Sequence, residues 1–498
     1  MRTEPAITSV SDFRTRGRAP CTTLIAIAVT LVYFALSLHR SLHHLMWEDE
    51  WLLSVRALGQ HSIADAIFST RFDGHPPAWS VLIYFLTRVT TDPAAIKTLH
   101  VLIASTTIFL IWRFGPFTLL EKILLPLGYF LLFEYSTITR GYAAGVLLAV
   151  IAAIGFTSAR RHPLRIWILL LLLGQFSLYS MILSLAIAAG LLANSVPERR
   201  SARSWLIPAC ILLSSLALFY IATRPAASAQ LGQQMNISSA LHPERAAAAM
   251  FDAFSPLPQL QLHWWNTQLI AWPEWLRGLL GLLVIAIAAR TLRTRQSRII
   301  FIFGCAAVFA VVLFIYTGYL RHWGHVFILF LIATWIDRRL RSNAPTRFAR
   351  TVFLAIISIQ AIAGITAAAL HARYPFTSAR QAAQFIRQTA PDLPIAGDFD
   401  YVLVSLAGEL NKPIWYIRAN RYAWAIPFDS DRRRNVSLAM IQDQVRDLAK
   451  RENSDVLLVM TYTVPLSKEF EPIAHIPPGT VQQEEFFIYR YRLSSVGR

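Results

Sequence analysis

The apolar part of the chain begins with CTTLIAIAVTLVYFALSLHRSLHHLMWEDE, residues 21–50. This stretch joins an apolar run, 21–38, to three consecutive carboxylates, Glu48, Asp49 and Glu50. Charged groups beside a membrane segment are costly to desolvate, so they need water, a cation or a chemical role. An ordinary solvated loop is the alternative for these three residues, and the rest of the chain bears on that choice.

Composition places the chain among polytopic membrane proteins. Its 498 residues are 55% hydrophobic and its mean hydropathy is +0.44, which is too apolar for a soluble globular protein of this length. The net charge of +18 does not indicate nucleic-acid binding, because most arginines lie in short gaps between apolar runs, as expected of cytoplasmic loops. The three cysteines lie in or beside apolar runs, so no disulfide framework is predicted.

The apolar runs predict about eleven membrane spans, since a spanning helix needs about 20 residues. The candidate spans are 21–38, 94–113, 118–135, 142–158, 164–178, 180–195, 204–222, 275–290, 299–317, 325–336 and 351–370. Four arginines precede the first span and place residues 1–20 in the cytoplasm. A cleaved signal peptide is the alternative, but its apolar region would be about 7–15 residues long and followed by a small-residue cleavage site. With this orientation, every dense arginine cluster falls on the cytoplasmic side.

Two segments outside these spans have predicted structures of their own. The first outer loop, 42–93, contains a short apolar stretch, 76–90, that begins with two prolines and carries scattered aromatic residues. We expect it to form a helix on the outer membrane surface.

After residue 371 the long apolar runs end. Strand-sized segments at 394–399, 413–418, 455–464 and 484–492 accompany an amphipathic helix at 437–451.

The expected fold is therefore an all-α polytopic membrane bundle over 21–370 with a small C-terminal α/β extracytoplasmic domain over 371–498. A set of acidic and basic side chains then falls on the outer side, close to the bilayer: Glu48, Asp49, Glu50, Asp73, His75, Arg140, Arg321, His322 and His325. Cations can hold phosphate oxygens while a carboxylate takes a proton from an attacking hydroxyl. Adjacent carboxylates such as Glu48 and Asp49 are also a candidate divalent-cation site. The sequence establishes no cofactor.

Several common catalytic motifs are absent. The chain has no G-x-x-x-x-G-K-[ST] phosphate loop, no G-x-S-x-G and no H-E-x-x-H. An outward-facing transferase without nucleotide machinery needs a donor that arrives activated. A sugar on a polyprenyl phosphate meets that need, because its lipid tail can lie among the helices with the phosphate at the interface.

Four polar segments of the chain form a recognisable series: WEDE at 47–50, DGHPPAW at 73–79, YSTITRGY at 135–142 and LRHWGH at 320–325. In their order and spacing they resemble the glycosyltransferase C superfold, specifically the family 39-like membrane transferases that include protein O-mannosyltransferases and aminoarabinose lipid A transferases. The resemblance covers roughly 20–340.

The resemblance implies Asp49, with Glu50, as the catalytic base, and a donor phosphate bound by Arg140, Arg321, His322 and His75. One departure from the family pattern is Ile138, which stands where relatives often have a glutamate. Glu134, one turn earlier, is the candidate substitute.

The sequence thus predicts an inverting glycosyltransferase of the plasma (inner) membrane that moves a sugar from a polyprenyl-phosphate donor to an acceptor on the outer face. The acceptor class, whether lipid, protein or polysaccharide, stays open. A transporter or flippase of a lipid-linked molecule is one alternative, although such proteins usually place charges near the bilayer midplane. A non-catalytic membrane scaffold whose outer domain binds a partner is another.

Overall fold

The computed structural model describes residues 19–158, 163–193, 203–229, 242–341 and 343–493. Most of the predicted cytoplasmic N-terminus, 1–18, and parts of the arginine clusters at 160–161 and 199–202 lie outside the described residues. The helices are α1 Ala19–His43, α2 Glu48–Leu58, α3 Ile63–Phe68, α4 Ala78–Thr87, α5 Pro93–Phe114, α6 Leu119–Leu124, α7 Tyr135–Thr137, α8 Tyr142–Gly155, α9 Pro163–Gly174, α10 Leu178–Ala193, α11 Arg203–Thr223, α12 Pro243–Phe254, α13 Glu274–Thr291, α14 Arg295–Phe314, α15 Leu320–Leu340, α16 Arg347–Arg373, α17 Ala379–Thr389, α18 Asp400–Leu410 and α19 Leu438–Glu452.

Helix boundaries follow local signals in the sequence. Pro93 occupies the first turn of α5, where its missing N–H costs nothing, and the Asp92 side chain accepts a hydrogen bond from the Ala94 amide. Thr346 caps α16 in the same way by accepting from the Ala349 amide. These caps satisfy N–H groups that the helix itself leaves without partners.

Five of the described helices are long and apolar enough to cross a membrane: 22–43, 93–114, 206–223, 295–314 and 347–373. Shorter apolar helices lie at 78–87, 142–158, 164–174 and 178–193. Helices therefore occupy most of the predicted spans, but the count of eleven stays a prediction. The predicted surface helix at 76–90 is α4, and its place at the membrane surface also stays a prediction.

The predicted continuous span at 118–135 differs from the structure. The segment is divided into α6, a 3₁₀ turn at Leu125–Leu127, a π-helical turn at Phe130–Glu134 and the short α7. Pro126 lacks an N–H and Gly128 has an extended backbone, with ψ at 146°, so a regular helix cannot continue through them. The break leaves Glu134 and Tyr135 in the interior of the protein.

Helix α12 was not predicted, because its alanines give only a weak apolar signal. Its side chains from Ala246 to Met250 are almost fully buried. Gly278 and Gly281 of α13 let the two helices approach closely; a Cβ on Gly281 would lie 2.2 Å from the Ala247 carbonyl oxygen. Small residues thus make this helix pair possible.

The C-terminal segment forms a six-stranded mixed sheet, as the predicted α/β pattern requires. Its strands are β1 Ile395–Gly397, β2 Ile414–Tyr416, β3 Arg421–Ala423, β4 Val456–Met460, β5 Phe470–Ile476 and β6 Phe486–Tyr491, in the order β3-β2-β1-β4-β6-β5. β1 pairs in parallel with β2 and β4, and the outer pairs are antiparallel. Strands β3 and β5 and helices α17 and α18 were not predicted; in β5, Pro472 interrupts the strand pattern.

The sheet layer packs directly on the first outer loop. Helix α18 lies against α2, and Gly408 is the point of contact: a Cβ there would lie 2.3 Å from the Trp51 ring. Trp51, Met46 and Val404 form a shared apolar cluster at this junction. The acidic start of α2 is thereby fixed between the helical core and the C-terminal sheet.

Candidate active site

The three carboxylates of the acidic stretch lie in the first turn of α2, where the partial positive charge of a helix N-terminus favours negative side chains. Successive residues of an α-helix point about 100° apart. Glu48, Asp49 and Glu50 therefore face three different environments and have three different sets of partners.

Asp49 lies between two arginines. Its Oδ2 accepts a hydrogen bond from Arg321 Nη2 at 3.2 Å and lies 3.9 Å from Arg140 Nη1. Arg140 also donates to the Asp49 backbone oxygen at 2.7 Å. The Asp49 side chain is 30% exposed, whereas the arginine side chains are 6% and 8% exposed. Asp49 is thus the reachable carboxylate of this group.

Arg321 lies among aromatic rings. Its guanidinium carbon lies 5.0 Å from the ring centre of Trp47, 5.4 Å from that of Trp265 and 4.9 Å from that of Tyr319. Rings at this range attract a cation through their electron-rich faces. Because its side chain is buried and its Nε has no hydrogen-bond partner, Arg321 is held firmly and keeps hydrogen-bonding capacity.

His75 and Arg140 are also in contact. Arg140 Nη2 lies 3.2 Å from His75 Nε2, and His75 Nδ1 lies 2.8 Å from the Asp73 carbonyl oxygen. A guanidinium can only donate, so in this arrangement Nε2 accepts and the ring proton is on Nδ1. Asp73 itself is paired with Arg56 at 2.7 Å. His75 therefore supports Arg140 here, while 43% of its side chain remains exposed.

Glu50 is fully buried and all its bonds are to the protein. His44 Nε2 lies 2.7 Å from its Oε2, and the Thr139 amide and hydroxyl both donate to its Oε1 at 2.6 Å. Burial alone would raise the pKa of this carboxyl, but His44 and the Thr139 hydrogen bonds outweigh burial and lower its pKa to about 2. Glu50 thereby ties α2 to the 138–140 segment that carries Arg140.

Glu48 faces the C-terminal sheet layer. Its Oε1 accepts a hydrogen bond from Gln483 Nε2 at 2.8 Å, and its backbone N–H donates to Glu484 Oε1 at 2.8 Å. Burial and the neighbouring Asp49 raise the pKa of Glu48 to about 8. Burial and the charge of Glu48 likewise raise the pKa of Glu484.

The structure gives no support to the candidate cation site at Glu48 and Asp49. The two carboxylates bind different partners, and no three His, Cys, Asp or Glu side chains converge as a metal site within the residues that the structure describes. Both the cation and the roles assigned to these two residues stay predictions.

The fold as a whole is similar to that of solved structures. The crystal structure of ArnT from Cupriavidus metallidurans bound to undecaprenyl phosphate matches with a TM-score of 0.52 and 13% identity, covering 96% of this chain and 100% of that chain. The apo structure of the same ArnT matches with a TM-score of 0.51 and 15% identity over 97% and 100%. The chain has the ArnT fold.

At 13–15% identity this similarity concerns the fold, and the fold that the sequence resemblance predicts is confirmed. No family model matches the chain, and no curated protein is significantly similar to it in sequence. Together with its long apolar helices, the ArnT-like fold makes this a multi-pass membrane protein.

The remaining predicted residues, His322 and His325, follow Arg321 in helix α15. His322 Nδ1 accepts the Tyr319 amide at 2.9 Å, and its ring stacks on Tyr179. It is buried beside Arg321, so any hydrogen bond to a ligand would come from Nε2. His325 lies deeper, 3.1 Å from the Tyr135 hydroxyl, which agrees with a structural role.

Glu134 does reach the neighbourhood of Arg321, but through an intermediate that sequence reasoning missed. Trp265 Nε1 donates to Glu134 Oε2 at 3.1 Å, and the same indole ring lies against Arg321. Glu134 is buried and also accepts from Tyr129. It supports the aromatic residues around Arg321 and does not line an open loop, as a direct replacement for the missing second-loop carboxylate would.

Four further residues of this site were not predicted: His44, Thr139, Trp265 and Glu484. Each acquires its partner only through folding. The His43-His44 pair stands out in the sequence, but its spacing does not reveal that His44 alone turns toward Glu50.

Proposed function

We propose that this protein is a membrane glycosyltransferase that moves a sugar from a polyprenyl phosphate to an acceptor hydroxyl on the outer face of the membrane. The observation that carries the proposal is Asp49, a partly exposed carboxylate between Arg140 and Arg321, in a protein with the ArnT fold. The ArnT crystal structure holds undecaprenyl phosphate, which is the leaving group of the proposed reaction.

The arrangement suits phosphate as a leaving group. Arg321 and Arg140 present guanidinium groups that bind phosphate oxygens by charge-assisted hydrogen bonds. A donor phosphate would give both cations a second acceptor and so loosen their hold on the Asp49 carboxylate. The exposed edge of His75 lies on the same side as Arg140.

In the proposed step, the acceptor oxygen attacks the anomeric carbon from the face opposite the phosphate, so the configuration inverts. The new carbon–oxygen bond forms as the bond to the phosphate oxygen breaks. The electron pair of that bond leaves with the polyprenyl phosphate, and the acceptor proton passes to Asp49. Glu50 acts as a positioning residue through Thr139.

Asp49→Asn tests this proposal. The substitution keeps the size of the side chain and removes the base, so transfer from a radiolabelled polyprenyl-phosphate sugar to cell-envelope extract should fall about 10²–10⁴-fold. Asp392→Asn, at an exposed position of the C-terminal layer, is the matched control and should leave the rate unchanged. Undiminished transfer by the Asp49→Asn variant would remove Asp49 from the mechanism. Flipping of the lipid without transfer in liposomes would favour a transporter.

A further inference from the structure

A cavity lies on the side of α2 that faces away from Asp49. It has a volume of about 510 Å³ and is bounded by α2, the start of α5 and helix α18. Trp51, Ser54, Val55 and Leu58 line it from α2, and their spacing puts them on one face of that helix. Asp49 precedes Trp51 by two residues, about 200° around the axis. The cavity is therefore separate from the reaction centre.

The lining combines flat aromatic surface with hydroxyl and amide groups. Trp51 and Trp424 provide the aromatic surface, and the hydroxyl and amide groups come from Ser54, Thr87, Thr90, Thr91 and Asn411. Trp51 is only 8% exposed, so Trp424, which is half-buried, offers the larger share of the aromatic surface.

Charge is balanced around the cavity. Two cations, Arg380 and Lys97, and two carboxylates, Glu409 and Asp92, line it. Arg380 and Glu409 neutralise one another through hydrogen bonds of 3.1 and 3.3 Å. Lys97 donates to the His44 carbonyl oxygen at 2.7 Å. A strongly anionic ligand is disfavoured, because Asp92 and Glu409 would repel it. An alkyl chain is also disfavoured, because it would remove water from many polar groups.

We propose that this cavity is a second carbohydrate-binding site, which takes a neutral saccharide. Sugar rings carry apolar C–H faces that pack on indole rings and hydroxyl edges that pair with threonine, asparagine and charged side chains. The volume lies within the range of about 300–1,000 Å³ typical of small-molecule sites. The proposal does not depend on the transferase reaction, because occupancy is measured by binding alone.

The test is a binding titration of the full-length protein in detergent. The probes are neutral tetrasaccharides of glucose, mannose, galactose and N-acetylglucosamine, with tetragalacturonic acid and phosphatidylglycerol as the charged and lipid comparisons, and calorimetry as the readout. Trp424→Ala removes one stacking surface, and Thr91→Trp fills the cavity from its exposed rim. Trp275→Ala, an exposed tryptophan outside the cavity, is the control.

We expect at least one neutral tetrasaccharide to bind saturably. Its binding should be about tenfold weaker, or lost, in both cavity variants and unchanged in the Trp275→Ala control. If Trp424→Ala lowers the melting temperature, its binding result is set aside and the comparison of Thr91→Trp with the wild type decides the test. The proposal is overturned if no neutral tetrasaccharide binds, if the cavity variants bind as well as the wild type, or if only tetragalacturonic acid or phosphatidylglycerol binds.

Discussion

At the scale of single residues, the meeting of Glu48 with Glu484 is the least expected contact of the site. Each has one carboxylate oxygen that is buried without a hydrogen-bond partner. Burial favours the protonated, neutral form of both carboxyl groups, and the charge of Asp49 adds to this for Glu48, as the charge of Glu48 does for Glu484. The junction between α2 and the C-terminal layer is therefore sensitive to pH.

Glu484→Gln should reveal this sensitivity. In the folded protein, burial raises the pKa of Glu48 to about 8 and also raises that of Glu484, whereas an unfolded glutamate has a pKa near 4.3. The folded state thus binds more protons between these values, so this pair lowers the free energy of unfolding as pH rises from about 5 to about 8. Removing one charge should raise the apparent melting temperature at pH 8 relative to the wild type, and much less at pH 5.

A gain of about 1 kcal/mol corresponds to about 2–4 °C in a domain of 150–250 residues. Thermal unfolding in detergent, followed at both pH values, measures the difference. Glu471→Gln, at a half-exposed position, should show no such dependence. An equal shift at pH 5 and pH 8 would argue against the raised pKa of these two carboxyl groups as the cause.

At the scale of elements, the position of the active site depends on how closely α18 approaches α2. The Trp51 ring occupies the space that a side chain at Gly408 would need, and Trp51 is buried among Met46 and Val404. The start of α2, with Asp49, is held in place by this packing on one side and by the Glu50 to Thr139 hydrogen bonds on the other.

Gly408→Ala should therefore weaken the docking of the C-terminal layer. The new Cβ would lie 2.3 Å from the Trp51 ring, and overpacking of this kind costs about 1–3 kcal/mol. Limited proteolysis should cut the linker after α16 faster in this variant than in the wild type. The transfer activity of the variant should be lower as well. Gly155→Ala is the matched control, because its Cβ would meet only Ile166 Cδ1 at 3.5 Å. Equal proteolysis rates for the two variants would show that this contact does not hold the layer.

At the scale of the whole molecule, the proposed reaction requires the first outer loop and the C-terminal layer to share one side of the membrane. The structure shows them in contact through Glu48, Gln483 and Glu484, and the arginine pattern predicts that this side faces away from the cytosol.

Cysteine accessibility can test that orientation in a variant whose natural cysteines at 21, 210 and 305 are replaced by alanine. Single substitutions Asp65→Cys and Asp392→Cys should react with a membrane-impermeant maleimide in intact cells. Arg293→Cys and Asn343→Cys should react only after lysis. All four positions are exposed, so labelling reports sidedness and not burial. If positions 65 and 392 were labelled only after lysis, the predicted orientation would be wrong and the proposed site would lie on the cytoplasmic face.

The sequence by itself determined the membrane class, most of the helices, four of the six strands and the segments that meet at the site. Apolar length and charge spacing are properties of single segments, and the bilayer and the positive-inside rule act on single segments. The break at Pro126 and Gly128 was readable from the same local signals, but the strength of the surrounding apolar run obscured it.

Only the tertiary structure decided which carboxylate of the acidic stretch is reachable. Asp49 meets Arg321 across 272 residues, Glu50 meets Thr139 across 89, and Glu48 meets Glu484 across 436. Three adjacent side chains of one type are equivalent in sequence, because their local propensities are the same. Their burial, partners and charge states differ because a helix points them in three directions and distant parts of the chain fill each direction differently.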